Sequence, residues 1–202
     1  MMLHKNIHRG CLFLVISIML GGCYGYKEVS YFKPVPHENI RVEYTLRLLP
    51  EVVQIPLSET VELTLFIRDE PQHSRLLMHF YLPAGEMAQF ESSNITVTPF
   101  GGGQIMVGTI ETIEASYIAE RQVRYLTTRD NLEGATYEYN KAFGRKGKVP
   151  RRFMTDVAFP IQLPDHFTLR MPTLKLSGKV IQMPEIEYQR QTGSAWQGRE
   201  LM

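Results

Sequence analysis

The chain has 202 residues, of which 44% are hydrophobic, and its 22 lysines and arginines nearly balance its 21 aspartates and glutamates. This near-neutral charge excludes the strongly basic class that is typical of nucleic-acid-binding domains. The length allows one sizeable hydrophobic core or two small ones.

The first segment has the pattern of an export signal. Two basic residues, Lys5 and Arg9, precede an apolar run from Cys11 to Leu20 that only Ser17 interrupts. A membrane-spanning helix needs about 17–25 apolar residues, whereas the apolar region of a signal peptide needs about 7–15. The run is therefore too short to span a membrane, and residues 1–22 are predicted to be a signal peptide.

The run ends in Leu20-Gly21-Gly22-Cys23, in which a large aliphatic residue and two small residues precede a cysteine. This motif resembles the lipobox of bacterial lipoproteins. The resemblance implies cleavage before Cys23, a diacylglycerol on the Cys23 sulfur, and acylation of its amino group, so that palmitate is incorporated. Several acyl chains give stable membrane attachment, where a single chain gives only marginal binding.

The residue after this cysteine is Tyr24 rather than the aspartate that commonly signals inner-membrane retention in Gram-negative lipoproteins. The resemblance therefore implies an outer-membrane protein facing the periplasm, or a protein on the outer face of the cell membrane in a Gram-positive source. Cys11 would leave with the signal peptide and the lipid would use Cys23. No thiol would then remain for a disulfide, a catalytic cysteine or a zinc-thiolate site.

Beyond the cysteine, the chain changes from a weakly patterned segment to repeated alternation. Residues 23–39, the lipidated cysteine and a proline-containing stretch, are predicted to be a tether. From Ile40 onward apolar and polar residues alternate, as they do in half-buried β-strands. Strand-like segments are predicted at 40–48, 61–67, 76–82, 94–98, 104–113, 123–127, 137–139, 153–161, 167–171, 174–176, 179–181 and 186–188.

Three local features interrupt this pattern. Gly101–Gly103 lies between two predicted strands and is expected to form a turn. Near Gly108 the two-residue alternation shifts by one position, which predicts a β-bulge. Only residues 84–92 indicate a helix, which would be short.

The alternation predicts an all-β protein, an antiparallel β-sandwich of immunoglobulin-like or transthyretin-like type, over residues 40–188. Two small β modules divided near residues 101–103 are the alternative. Residues 189–202 are predicted to be a polar, frayed tail.

No residue pattern indicates catalysis or a metal site. The histidines that follow the signal peptide are His37, His73, His79 and His166. They show no spacing that would bring two ligands to one ion. Gly193–Gly198 lacks the Gly-x-Ser-x-Gly spacing of a serine nucleophile, and Glu111, Glu114 and Glu120 are expected on a solvated strand face. We therefore predict no enzymatic activity, no metal and no cofactor.

One stretch between Glu138 and Asp156 carries six basic residues and no acidic one. Its basic residues are Lys141, Arg145, Lys146, Lys148, Arg151 and Arg152. Gly144 and Gly147 predict a loop, and basic side chains near aromatic ones can bind phosphates, acidic glycans or anionic lipid headgroups. A solvated hairpin tip without a ligand is the alternative interpretation.

These observations predict a lipid-anchored, non-enzymatic cell-envelope protein with a role in protein interaction or assembly. Its expected partners are the membrane, through the N-terminal lipid, and an envelope protein bound by a strand edge or by residues 141–152; nucleic acid is not expected. One alternative is a module that binds envelope lipid or glycan through residues 141–152, and another is an envelope hydrolase. Protein binding predicts exposed apolar surface, ligand binding a concave pocket, and hydrolysis paired carboxylates or a His–Ser pair in a cleft.

Overall fold

The computed structural model describes residues 26–46, 48–70, 72–117, 122–140 and 146–196. Every regular element that these residues form is a β-strand, which confirms the predicted all-β class. The strands are β1 (Tyr26–Pro34), β2 (Arg41–Tyr44), β3 (Pro50–Pro56), β4 (Glu62–Asp69), β5 (Ser74–Leu82), β6 (Met87–Phe90), β7 (Asn94–Pro99), β8 (Met106–Thr109), β9 (Ile113–Tyr117), β10 (Gln122–Leu126), β11 (Leu132–Glu133), β12 (Thr136–Asn140), β13 (Lys146–Ala158), β14 (His166–Arg170), β15 (Leu174–Leu176), β16 (Lys179–Ile181) and β17 (Ile186–Trp196).

The alternation in the sequence becomes alternating burial wherever one face of a strand is covered. In β3, β4 and β5, buried positions alternate with half-buried ones over most of each strand. In β4, for example, Leu63, Leu65 and Ile67 are buried. Successive side chains point to opposite faces of a sheet, so the residues between these three face outward.

The strands form three antiparallel sheets. A five-stranded sheet has the order β1-β17-β14-β7-β8. An eight-stranded sheet has the order β10-β9-β13-β5-β4-β3-β2, with β12 paired to β13 outside this order. A four-stranded sheet has the order β11-β6-β15-β16. The second sheet is built largely from chain neighbours, whereas the first brings together strands from both ends of the described chain.

Side chains from all three sheets share one hydrophobic core. Phe167 of β14 lies between Phe32 of β1 and Tyr188 of β17, with ring centroids 5.3 Å and 5.4 Å away. Phe80 of β5 contacts Phe90 of β6 edge-to-face at 6.3 Å. The sheets therefore enclose the core in a sandwich-like arrangement. The finer assignment to an immunoglobulin-like or transthyretin-like topology stays a prediction.

Both ends that were predicted to lack structure contain strands. The tether predicted at 23–39 contains β1, and the tail predicted at 189–202 contains most of β17, so both predictions are wrong over the described residues. The two strands pair from Tyr26 opposite Trp196 to Pro34 opposite Tyr188. Backbone hydrogen bonds hold these ends together, and such bonds leave little trace in side-chain periodicity.

Two local predictions are also wrong. The short helix predicted at 84–92 is replaced by β6, which pairs with β11 and β15. The bulge predicted near Gly108 is absent from the described pairing, because Gly108 stands in register opposite Ile95. The shift in alternation instead marks the passage of the chain from β8 in one sheet to β9 in another. A Cβ on Gly108 would lie 2.7 Å from Val157 Cγ1, so glycine permits the close approach of β8 to β13.

The turn predicted at Gly101–Gly103 is confirmed. It connects β7 to β8, and its three glycines adopt φ values of 77°, 92° and 144°, which other residues rarely adopt. Buried residues before and after this turn belong to the same core. The choice between one domain and two modules divided there stays a prediction.

Candidate functional site

The predicted basic stretch is only partly described by the structure. The described side chains are those of Lys148, Arg151 and Arg152, while Lys141, Arg145 and the side chain of Lys146 lie outside the described residues. From residue 146 onward the stretch is strand β13 rather than the predicted loop. Lys148 Nζ lies 3.9 Å from Glu138 Oε1, and both side chains are well exposed.

Arg151 and Arg152 point to opposite faces of the sheet, because successive residues of a strand alternate. Arg151 Nη2 donates to Tyr137 Oη at 2.8 Å, and Nη1 donates to the Glu133 carbonyl at 2.7 Å. Arg152 Nε donates to Ser116 Oγ at 3.2 Å. The structure therefore does not bring these two guanidinium groups into one patch. Anion or partner binding by the basic stretch stays a prediction.

The eight-stranded sheet ends in β10, which pairs with β9 on one side and is the last strand in the sheet order. Val123 and Tyr125 of β10 are 47% and 68% exposed. They stand opposite Ser116 and Glu114 of β9, so all four side chains share the outer face of the sheet. The same face continues to Arg152, which stands opposite Ser116 in the next strand.

The other strand edges carry features that discourage pairing with another chain. β2 has a bulge between Glu43 and Tyr44 and exposes the charges of Arg41 and Glu43. β8, β11 and β16 are only four, two and three residues long. β12 exposes the charge of Glu138, and β1 is in contact with β3 and β4. Bulges, charges, short strands and covering elements all protect sheet edges. β10 also exposes one charge, Arg124, but it pairs with β9 without a bulge and exposes Val123 and Tyr125, so among the described edges it is the best suited to receive a further strand.

A cleft of about 560 Å³ lies where the five-stranded sheet meets one end of the eight-stranded sheet. We call this end the cleft end, where β3 starts at Pro50, β4 ends at Asp69 and β5 starts at Ser74. The cleft is lined by Ser30, Tyr31, Thr45, Leu46, Glu51 and residues 66–70. This concave surface is lined by carboxylates, including Glu51 and Asp69, and by apolar side chains, including Leu46 and Phe66.

Glu51 is the buried acid of the cleft, and its charge acts on Tyr31. Glu51 is only 6% exposed and accepts a hydrogen bond from Thr45 Oγ1 at 2.9 Å. Burial raises the pKa of Tyr31, and the nearby Glu51 and Tyr44 raise that pKa further. Tyr31 therefore keeps its phenolic proton at neutral pH and can donate it in a hydrogen bond, but it is poorly suited to act as a base.

Arg190 of β17 forms the polar link between the two large sheets. It pairs with Asp69 at the cleft end, and its Nε donates to Asp165 Oδ1 at 2.7 Å. Its Nη2 donates to the Leu163 carbonyl at 3.0 Å. The guanidinium also lies 4.4 Å from the ring centroid of Phe32, within the range of a cation–π contact. These contacts hold β17 against the end of β4.

Two of the carboxylates near the cleft, Asp69 and Glu70, are engaged by basic partners. Asp69 pairs with Arg190, and Glu70 Oε2 lies 2.8 Å from His73 Nε2 on the cleft rim. Such pairs are typical of structural contacts, and the expected absence of hydrolase activity stays a prediction. Within the described ranges, no group of three or more His, Cys, Asp or Glu side chains is placed to hold a metal ion.

The surface that sequence reasoning missed is the turn between β2 and β3. Alternation over 40–48 predicts Tyr44, Leu46 and Leu48 on the buried face, but these side chains are 70%, 95% and 58% exposed, so the prediction is wrong. The bulge between Glu43 and Tyr44 ends the regular pairing of β2 and redirects the chain. We call Tyr44, Leu46 and Leu48 the hairpin tip. Pro50, which starts the next strand, is the sequence signal that could have shortened the prediction.

No family model, curated protein or solved structure matches this chain. In the part of the chain that the structure describes, no helix is long and apolar enough to cross a membrane. The lipobox-like motif at residues 20–23 lies outside the described residues. Lipid attachment at Cys23 therefore stays a prediction.

Proposed function

We propose that this protein is a lipid-anchored, non-enzymatic component of the cell envelope that binds a protein partner. The lipid on Cys23 would hold the protein at the outer membrane, facing the periplasm. The edge of β10 would receive an extended segment of the partner. The anchor is supported by the motif Leu20-Gly21-Gly22-Cys23 and by the basic and apolar segments before it.

The observation that carries partner binding is the terminal position of β10 in its sheet. A strand added to this edge would form backbone hydrogen bonds with β10, which give affinity in this mode of recognition. Val123 and Tyr125 would supply apolar contacts on the outer face.

A ligand-binding module is the second candidate, and the cleft is the observation that favours it. Its volume of about 560 Å³ lies within the range of small-molecule sites, about 300–1,000 Å³. Its acidic wall, with Glu51 and Asp69, suits a ligand with hydroxyl or cationic groups rather than the anionic ligand expected for the basic stretch. Under this alternative, Glu51→Gln should weaken ligand binding and changes in β10 should not.

The anchor is tested by metabolic labelling with palmitate. Cells that produce the wild-type protein should yield labelled protein, and Cys23→Ser should abolish the label because the acceptor sulfur is missing. Cys11→Ser is the matched control, since Cys11 lies inside the predicted signal peptide, and it should keep the label. Equal labelling of wild type and Cys23→Ser would contradict the proposed anchor.

The partner edge is tested by placing charges on β10. Val123→Lys with Tyr125→Lys should reduce recovery of a cross-linked partner from envelopes at least tenfold, because edge lysines oppose strand addition. Val180→Lys is the control, since Val180 is 54% exposed on another edge strand, β16. Circular dichroism would verify that all variants fold. Equal recovery by the β10 variant and wild type would contradict the proposed edge.

A further inference from the structure

The hairpin tip presents three large apolar side chains to solvent, and Leu46 is 95% exposed. A single exposed leucine is common in soluble proteins, but neighbouring exposed apolar side chains mark an interaction surface. The turn itself is held by two backbone hydrogen bonds of 2.9 Å, from Thr45 N to Leu49 O and from Leu48 N to Thr45 O. Leu48 adopts φ of 64°, which leucine rarely occupies. The exposure therefore belongs to a defined turn.

The hairpin tip lies beside the middle of β1. Leu46 lines the cleft together with Tyr31. Leu49, which directly follows the tip, packs in one cluster with Tyr31 and Ala195. Ala195 stands opposite Lys27 in the pairing of β1 with β17. Val29, two residues nearer the beginning of β1 than Tyr31, also packs against this cluster.

The beginning of β1 is also the part of the described chain nearest to the proposed lipid. Cys23 precedes Tyr26, the first residue of β1, by three positions. An extended chain spans at most about 3.3–3.6 Å per residue, so the lipid attachment point lies within about 11 Å of β1. Tyr31, which lines the cleft, follows Cys23 by eight positions, so the cleft end lies at most about 29 Å along the chain from the lipid attachment point and within reach of the bilayer.

A further exposed apolar side chain lies at the cleft end. Phe159 N donates to Ser74 O at 2.9 Å, and Gln162 Nε2 donates to Glu70 O at 3.1 Å. Ile161, between these two anchored residues, is 57% exposed. The cleft end therefore carries apolar surface outside the β2–β3 turn as well.

We infer that the hairpin tip inserts into the interfacial region of the lipid bilayer that holds the Cys23 lipid. This inference rests on the proposed anchor, which would bring the cleft end to the bilayer. The side chains suit that depth, because a tyrosine places its hydroxyl among the headgroups while leucines reach the acyl boundary. The second contact would fix the orientation of the domain, which a lipid on a short connection leaves free to rotate.

The test uses the full-length lipidated protein in liposomes of phosphatidylethanolamine and phosphatidylglycerol with brominated acyl chains, which quench tryptophan on contact. Trp196 is the only tryptophan of the chain, so Trp196→Phe gives a silent background. Leu46→Trp then reports on the hairpin tip. Val180→Trp is the matched control, because Val180 is exposed in the four-stranded sheet rather than at the cleft end. We expect at least threefold stronger quenching at position 46 than at position 180.

Each outcome decides the inference. Equal quenching at the two positions, in protein that carries palmitate, would overturn tip insertion and leave the anchor standing. A wild-type protein without palmitate would remove the anchor and the inference with it. A reporter at position 46 that is shielded from acrylamide but not quenched by bromolipid would show that the tip packs against protein, such as a second copy of this chain, and would also overturn insertion. Tyr44→Trp serves as the reporter if Leu46→Trp does not fold.

Discussion

Arg190→Ala should destabilise the protein strongly, because this side chain joins the last strand to the cleft end. Arg190 and Asp69 are only 21% and 14% exposed, so the substitution leaves a poorly solvated carboxylate without its cation. Breaking a buried ion pair in this way costs about 3–5 kcal/mol. Partial exposure and the remaining hydrogen bond from Ser74 Oγ to Asp69 place the expected loss at the lower end, about 3 kcal/mol.

The assay is thermal and urea unfolding followed by far-UV circular dichroism. For a chain of this size 1 kcal/mol corresponds to about 2–4 °C, so Arg190→Ala should lower Tm by about 6–12 °C. Arg170→Ala is the matched control, because Arg170 lies in the same sheet as Arg190 and pairs with Glu185, but these two side chains are 69% and 51% exposed. Such a pair contributes about 0–1 kcal/mol. Equal losses for the two variants would refute the argument that Arg190 ties the sheets together.

Three smaller perturbations test the packing and the titration of the domain by the same unfolding assay. Tyr188→Phe should be neutral or stabilise by about 1 kcal/mol, because the buried Tyr188 hydroxyl has no hydrogen-bond partner among the described residues; a clear loss would contradict this. Gly108→Ala should cost about 1–3 kcal/mol, because its Cβ would lie 2.7 Å from Val157 Cγ1; unchanged stability would contradict that contact. Burial, and secondly Arg152, lowers the pKa of His79 below its ordinary value of 6.5. The unfolded chain then protonates His79 more readily than the folded chain does. The free energy of unfolding should therefore be fully present above pH 6.5 and fall as the pH drops towards the lowered pKa. Arg152→Gln should lessen that fall.

The interior strands could be predicted from the sequence because burial of one face imposes a two-residue period. Leu63, Leu65 and Ile67 in β4 show this clearly, since each is buried between outward-facing neighbours. The period fails where the chain changes sheets. Near Gly108 the alternation shifts by one position because the chain passes from β8 in one sheet to β9 in another. In the sequence this shift looks the same as a bulge within one strand.

The terminal strands could not be predicted in the same way. Ser30 and Arg190 are 160 positions apart in sequence but in hydrogen-bond contact in the structure. The first half of β1 pairs with the last half of β17 as an edge ribbon, and Lys27 and Glu28 there remain exposed. With little burial, side-chain alternation weakens and backbone hydrogen bonding becomes the main cause of order. Sequence periodicity does not detect that cause.

The candidate surfaces were harder to predict than the fold, because a small change in register reverses which side of a strand faces water. Tyr44, Leu46 and Leu48 continue the apolar alternation of β2, but the bulge after Glu43 leaves them exposed. Arg151 and Arg152 are neighbours in sequence, yet the strand directs them to opposite faces. Adjacent basic residues in a β-strand do not form one surface patch, because the strand directs successive side chains to opposite faces of the sheet.

The two proposed surfaces lie at opposite ends of the eight-stranded sheet. The cleft end includes Ser74, the first residue of β5, and Tyr81 lies near the other end of that strand. Tyr81 stands opposite Arg152, Arg152 stands opposite Ser116, and Ser116 stands opposite Val123. Val123 is therefore level with Tyr81. Seven residue steps along a strand span roughly 23 Å. If the cleft end rests on the bilayer, Val123 therefore stands roughly that far above it, away from the headgroups. A partner that adds a strand to β10 must then reach it from the aqueous side, so a membrane-embedded partner would need an extramembrane segment of at least this length.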